Sequence, residues 1–190
     1  MDIYWIRHGE TELNQKKLFY GTTDASLNQT GIQQSLRLQE KMAQLPQIPV
    51  IYTSDLQRTK ETASLIFPKR KSLVKPDLNE KSFGAWEGLN AAQIEAKYPE
   101  EWALWIQEPF NYTPPEAEAF SKFKRRVLRT MDSLLVSENS FAVVSHLGVI
   151  RLILSTWFPE RLFWDIELTQ GNYTHIQYYE QQFHIKKWNV

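Results

Sequence analysis

An α/β protein with a mostly parallel central sheet is what this sequence predicts, and three short apolar runs predict it. Ile3-Tyr4-Trp5-Ile6, Val50-Ile51-Tyr52 and Phe141-Ala142-Val143-Val144 are each too short for a helix and give way at once to polar residues. Stretches of helical periodicity separate them, which is the alternation expected of strand–helix–strand units. In a parallel sheet all three strand ends fall on one edge, where open α/β sheets bind their ligands. Arg7 and His8 leave the first strand, Ser54 and then Arg58 the second, and Ser145-His146 the third. Gly9 lets the backbone turn beside His8 and bring amide groups near it.

The elements follow in order. A polar loop, 12–26, carries Asn14, Gly21 and Thr22. Asn28 is an N-cap for a helix in which Ile32/Leu36 and Leu38/Met42 repeat at helical spacing up to Leu45, closed by Pro46 and Pro49. Thr53-Ser54-Asp55 opens a second helix, 56–67, stopped by Pro68. Residues 72–75 form a short strand. A glycine-punctuated acidic segment, 77–88, comes next, and then short helices over 91–115, expected to be a lid-like insertion in a single domain spanning 1–190. Phe120, Phe123, Val127, Met131 and Leu134 recur at intervals of three and four, so 116–136 is an amphipathic helix. A helix over 149–158 packs back on the sheet, and 172–190 is a hairpin turning near Gln181-Gln182.

Composition narrows the partners. Lysine plus arginine and aspartate plus glutamate both total 22, so no nucleic acid or anionic membrane is implied. The absence of cysteine removes disulfides, thiol nucleophiles and thiolate metal sites. With no secretory segment at the N-terminus and no apolar run near the ~20 residues of a membrane helix, a cytoplasmic location is the default. Oligomeric state is left open, with a homodimer admissible. Aromatic content is high, at seven tryptophans, eight tyrosines and ten phenylalanines.

Two arginines, two histidines, a glycine turn and a helix N-terminus converging on one edge suit a phosphate dianion. No GxxxxGK[ST] loop is present, so a nucleoside-triphosphate reading gains no support. One histidine, neutral near pH 7, can attack phosphorus while the other stays protonated as an oxygen clamp. Phosphoryl transfer asks chiefly for positioning and charge stabilisation, which these groups supply without a metal or other cofactor. A carboxyl group must still protonate the leaving oxygen and then activate water, and Glu80 and Glu87 are the candidates.

These residues resemble the histidine phosphatase (phosphoglycerate mutase-like) superfamily. The likeness rests on Arg7-His8-Gly9-Glu10-Thr11 with Asn14, Gly21, Leu27 and Gly31; on Ser54-Asp55-Leu56-Gln57-Arg58-Thr59 with Thr62-Ala63; on Leu78-Asn79-Glu80 through Trp86-Glu87-Gly88; and on Val144-Ser145-His146-Leu147-Gly148-Val149-Ile150-Arg151. The four motifs stand in the family's order from residue 3 to about 155. The resemblance implies a three-layer α/β/α sandwich and a phosphohistidine intermediate. His8 would be the nucleophile, Arg7, Arg58 and His146 would bind the phosphoryl oxygens, and Glu80, at the family's acid position, would be the proton donor. Asn14 and Gly21 would belong to the phosphate pocket, with Thr22 where related enzymes touch substrate. Leu147 replaces the glycine or polar residue usual after the second histidine, and Ala117 replaces a glycine before Glu118, so both bear on the leaving-group pocket.

Within the superfamily the likeness is strongest toward the α-ribazole phosphatase group and its short broad-specificity relatives. It is carried by Leu18-Phe19-Tyr20-Gly21, Leu78-Asn79-Glu80, Glu118-Ala119-Phe120 and Gln170-Gly171. The expectation is a metal-independent phosphomonoesterase acting on α-ribazole 5′-phosphate. A broad-specificity small-molecule phosphatase is the alternative, ahead of a phosphoglycerate mutase or a non-catalytic phosphate-binding module. His175 and His184 match no motif and read as solvent-facing strand residues. Lys122, Lys124, Arg125, Arg126 and Arg129 read as a solvated basic face. Trp86, Tyr98, Trp102, Trp105, Phe110 and Tyr112 read as packing, or as an apolar wall for an aromatic leaving group.

Overall fold

Among the described residues six strands form one sheet, in the order β3-β2-β4-β1-β5-β6. The computed structural model describes residues 1–137 and 139–190. The strands are β1 (Asp2–Arg7), β2 (Val50–Thr53), β3 (Leu73–Val74), β4 (Phe141–Ser145), β5 (Tyr173–Tyr179) and β6 (Gln182–Lys187). The first four pair in parallel, and the C-terminal hairpin joins β1 antiparallel. The helices are α1 (Glu12–Gln15), α2 (Gln29–Met42), α3 (Gln57–Ile66), α4 (Ala91–Lys97), α5 (Pro99–Gln107), α6 (Phe120–Leu135) and α7 (Leu147–Trp157).

Strand parity sorts the core into two layers. Ile3 and Trp5 of β1, with Phe141 and Val143 of β4, pack against Phe123, Val127 and Met131 of α6 and Ile150 and Ile153 of α7. Tyr4, Ile6, Ala142 and Val144 point the other way, onto Leu38 and Met42 of α2 and Ala63 and Ile66 of α3. Helices on both faces of one sheet give the three layers expected. Among the described residues no helix is long and apolar enough to cross a membrane.

The structure differs from the sequence reading at several places, each for a local reason. The polar loop after β1 contains α1, a single turn held by a reciprocal cap between Thr11 and Asn14. Asn28 caps α2 as expected, accepting from Gly31 N at 2.9 Å, but the helix ends at Met42. The amphipathic helix starts at Phe120, not 116, because Glu116 takes a left-handed φ of 60° after the two prolines. α7 starts at Leu147, with extended His146 as its N-cap residue. The hairpin turns at Glu180 and Gln181, both left-handed, as a two-residue turn between antiparallel strands. His175 is not solvent-facing: it bonds Asp2 Oδ1 at 2.7 Å and stacks on Tyr4.

Candidate active site

β1 and β4 are neighbours in register, Arg7 opposite Ser145, so the chain leaves both strands side by side. His8 N donates to Ser145 O at 3.0 Å, and the rings of His8 and His146 meet edge-on with centroids 5.2 Å apart. Gly9 is required by close approach and not by an unusual turn. A Cβ there would lie 2.6 Å from Gly31 O, and the Gly9 amide donates to Thr62 Oγ1 at 3.0 Å. That amide is therefore spent within the fold and not on a ligand, which corrects one expectation.

The His8 ring is buried and its Nδ1 lies 2.7 Å from Gly9 O. A carbonyl only accepts, so Nδ1 carries the proton and the Nε2 lone pair is left available. Burial, then the charges of Arg58 and Arg7, push its pKa well below the ordinary histidine value. The neutral imidazole a nucleophile needs is thus the resting form.

His146 is equally buried, and burial and Arg58 also hold its pKa well below the usual value. Its expected protonated state is therefore corrected: the ring is neutral. Arg58 Nε donates to its Nδ1 at 3.2 Å, which leaves the proton on Nε2, 2.8 Å from Ser54 Oγ. Ser54 Oγ in turn meets Thr59 Oγ1 at 2.8 Å, and Thr59 donates to Leu56 O at 2.8 Å.

Arg58 is 1% exposed and donates to Gly21 O at 2.7 Å and Thr23 O at 3.0 Å. Its guanidinium lies 4.6 Å above the Tyr20 ring. Gly21 supplies that carbonyl, and a Cβ on it would lie 1.8 Å from Lys81 O. Arg7 anchors one nitrogen on Leu168 O, while its buried Nε has no hydrogen-bond partner among the described residues. Burial lowers its pKa to about 10, which still leaves it charged at neutral pH. Asn14 Oδ1 accepts from Thr11 N and Tyr20 OH, so its NH2 group is left to donate elsewhere.

The two candidate carboxylates have separate fates. Glu80 lines the cavity, accepting from Lys81 N at 3.0 Å and Gly148 N at 2.9 Å. The α7 N-terminus therefore gives an amide to Glu80, which corrects its assignment to phosphate alone. Glu87 accepts from the amides of Thr22, Thr23 and Phe83 and from both threonine hydroxyls. Those donors hold its pKa at about 2 against the opposing effect of burial. A group so firmly ionised cannot serve as an acid near pH 7. Thr22 is tied to Glu87 and does not line the cavity.

The cavity has a volume of about 370 Å³. Arg7, His8, Asn14, Arg58, Glu80, His146 and Leu147 are among its lining residues. So are Phe19, Phe83, Trp105, Phe110, Phe163 and Trp164, which touch one another as a network of rings. Sequence reasoning missed Phe163 and Trp164, which lie beyond the last motif, and missed Lys81, which is 8% exposed. It also misplaced Arg126, which is not solvated but bonded to the segment carrying Glu80.

The buried histidines make stability depend on pH. Below about 6.5 the unfolded chain takes up protons at His8 and His146 that the folded chain refuses. Their contribution is full above that value and falls by about 1.4 kcal/mol per pH unit for each histidine as pH drops toward the folded values. Glu87 titrates outside this window. Denaturant midpoints between pH 7.5 and 5.5 should show the loss, and His8→Gln should remove one proton's worth of slope. An unaltered slope in that variant would refute the account.

Cationic arginines, a neutral histidine and a carboxyl group lining one cavity suit an enzyme that handles phosphate esters. The chain belongs to the histidine phosphatase superfamily (branch 1), whose sequence model matches residues 3–190, and it is a phosphoric monoester hydrolase. It is 31% identical over 182 residues to an adenosylcobalamin/alpha-ribazole phosphatase of Salmonella typhimurium, covering 93% of this chain and 90% of that protein. It is 27% identical to phosphoserine phosphatase 1 of Hydrogenobacter thermophilus, covering 97% and 90%. The crystal structure of the alpha-ribazole phosphatase from Shigella flexneri superposes with a TM-score of 0.92 at 26% identity, covering 100% of this chain and 96% of that one.

Proposed function

We propose that the chain hydrolyses α-ribazole 5′-phosphate through a phosphoryl group carried on His8. The observation that carries the chemistry is the His8 tautomer, set by Gly9 O beside the buried Arg58 and the half-buried Arg7. The Nε2 lone pair attacks phosphorus as the ester P–O bond breaks, and the electron pair leaving on oxygen takes a proton from Glu80. Glu80, now a carboxylate, takes a proton from water, the water oxygen attacks phosphorus, and the P–N bond returns its electrons to Nε2. Arg7, Arg58 and His146 hold the phosphoryl oxygens in both steps, with the Asn14 amide as a further donor. His146 takes this role by gaining a proton on Nδ1 from a singly protonated phosphate ester as it enters, so that Nδ1 donates to a phosphoryl oxygen in place of accepting from Arg58.

Two independent features support the substrate. Relatives spanning nearly the whole chain are named for that ester, and a network of touching aromatic rings lines the same cavity as His8. A flat apolar base would replace water there, while Leu147 and the segment over 91–115, which supplies Trp105 and Phe110, close the space as a lid.

The test is phosphate release from α-ribazole 5′-phosphate, phosphoserine and 3-phosphoglycerate in chelator, with His8→Ala as control. A preference for the ribazole ester of about 100-fold or more in kcat/KM supports the reading. Comparable rates across the panel would replace it with a broad-specificity phosphatase. In the same assay Trp105→Ala should raise KM for the ribazole ester by about 10-fold, the loss of one stacking contact, and raise that for phosphoserine less. Equal effects on both would remove the aromatic wall from substrate choice.

A further inference from the structure

Arg126 sits on α6 between the buried core residues Phe123 and Val127, outside the cavity lining. All five of its N–H donors are used. Nε and one Nη2 hydrogen go to the two oxygens of Glu118, each at 2.8 Å. Nη1 donates to Asp77 O and Asn79 O, each at 2.7 Å, and Nη2 to Glu80 O at 3.2 Å. Three carbonyl dipoles from a four-residue stretch thus converge on one cation. Without it they would repel one another, so the path of 77–80 depends on this guanidinium. The fan of donors also fits only arginine, since a lysine has three donors and no planar fork.

The last of those carbonyls belongs to Glu80. Its side chain is fixed separately by the Gly148 amide, where a Cβ would come 2.5 Å from a carboxylate oxygen. Glu80 is therefore held at both ends: α6 fixes its backbone through Arg126, and α7 fixes its carboxylate through Gly148. We propose that Arg126 is the positioning residue for Glu80, and that the Arg126–Glu118 pair aims this carboxyl group at the leaving oxygen. This rests on Glu80 being the acid, and the experiment separates the two ideas.

Leaving-group dependence is the readout. An ester with a poor leaving group, such as phosphoserine, needs the acid in order to break its P–O bond, whereas p-nitrophenyl phosphate needs it little. In kcat/KM, Glu80→Gln should lower the first by on the order of 10²–10⁴-fold and the second far less. Arg126→Lys should shift the ratio of the two substrates in the same direction by about 10-fold. Glu118→Gln, which frees half of the guanidinium, should shift it by a smaller factor. A ratio does not depend on how much of the protein is folded, so a loss of stability cannot imitate the effect. Should both substrates fall in proportion in Arg126→Lys, or the ratio stay at its wild-type value, Arg126 is only a staple of the loop and the inference is overturned. Should Glu80→Gln itself leave the ratio unaltered, the assignment of the acid fails, and this inference with it.

Discussion

His8→Ala is expected to lower kcat by 10⁴-fold or more, the scale seen when a nucleophile that acts as part of a unit is removed. Among the described residues no neighbouring group is placed to substitute. His146 has Arg58 on one nitrogen and Ser54 on the other, and Glu80 is engaged by two backbone amides. The phosphoenzyme intermediate gives a direct measurement. Wild-type protein quenched during turnover should retain phosphate that survives base and is lost in acid, and the variant should retain none. Turnover that persists without any trapped phosphate would mean that water attacks the ester directly. Cavity, cations and acid would then remain in place, but the role of His8 would not.

Arg58→Met is expected to separate activity from stability. Arg58 lies beside His8 and His146 in the fold, and its loss removes a fixed positive charge from the site of the phosphoryl oxygens. Activity should fall by about 10³-fold, the upper range for one such donor, and orthovanadate should bind about 100-fold more weakly. Stability is a contest of two effects. Gly21 O and His146 Nδ1 lose a buried donor, at about 1–3 kcal/mol each. Against that, burial lowers the pKa of Arg58, so the fold holds its charge unfavourably, and methionine relieves that strain. With Thr23 O only partly buried and able to take a water, the net change should stay within about 2 kcal/mol. Urea midpoints and vanadate inhibition on the same preparation check both. A loss of 4 kcal/mol or more would show that Arg58 is chiefly a structural tie between the 21–23 loop and α3.

Much of this was legible in the chain itself. Three short apolar runs ending in polar residues specified parallel strands with a common edge, because a strand buried on both faces must be apolar throughout and stop where solvent begins. The same runs carried Arg7, His8 and His146 to one place, with Arg58 one helical turn beyond the second strand. Asn28 as a cap and the 3–4 spacing on α6 were equally visible, since both are local patterns that packing did not override.

The tertiary structure decided what local patterns cannot carry. Family position alone set Glu80 ahead of Glu87, and the physical reason came only with the fold: Gly148 reaches one while a loop of threonines saturates the other. Arg126 is one of five basic residues in a run, and only the convergence of three distant carbonyls sets it apart. The charge of His146 depends on burial and on Arg58, neither of which sequence spacing expresses. Phe163 and Trp164 join the cavity from beyond the four motifs that end at Arg151. The sequence by itself determined which groups arrive at the sheet edge, because strand and helix periods are written along the chain. Only the fold decided which of them are charged, which are held and which are free to react, because those properties depend on neighbours from distant parts of the chain.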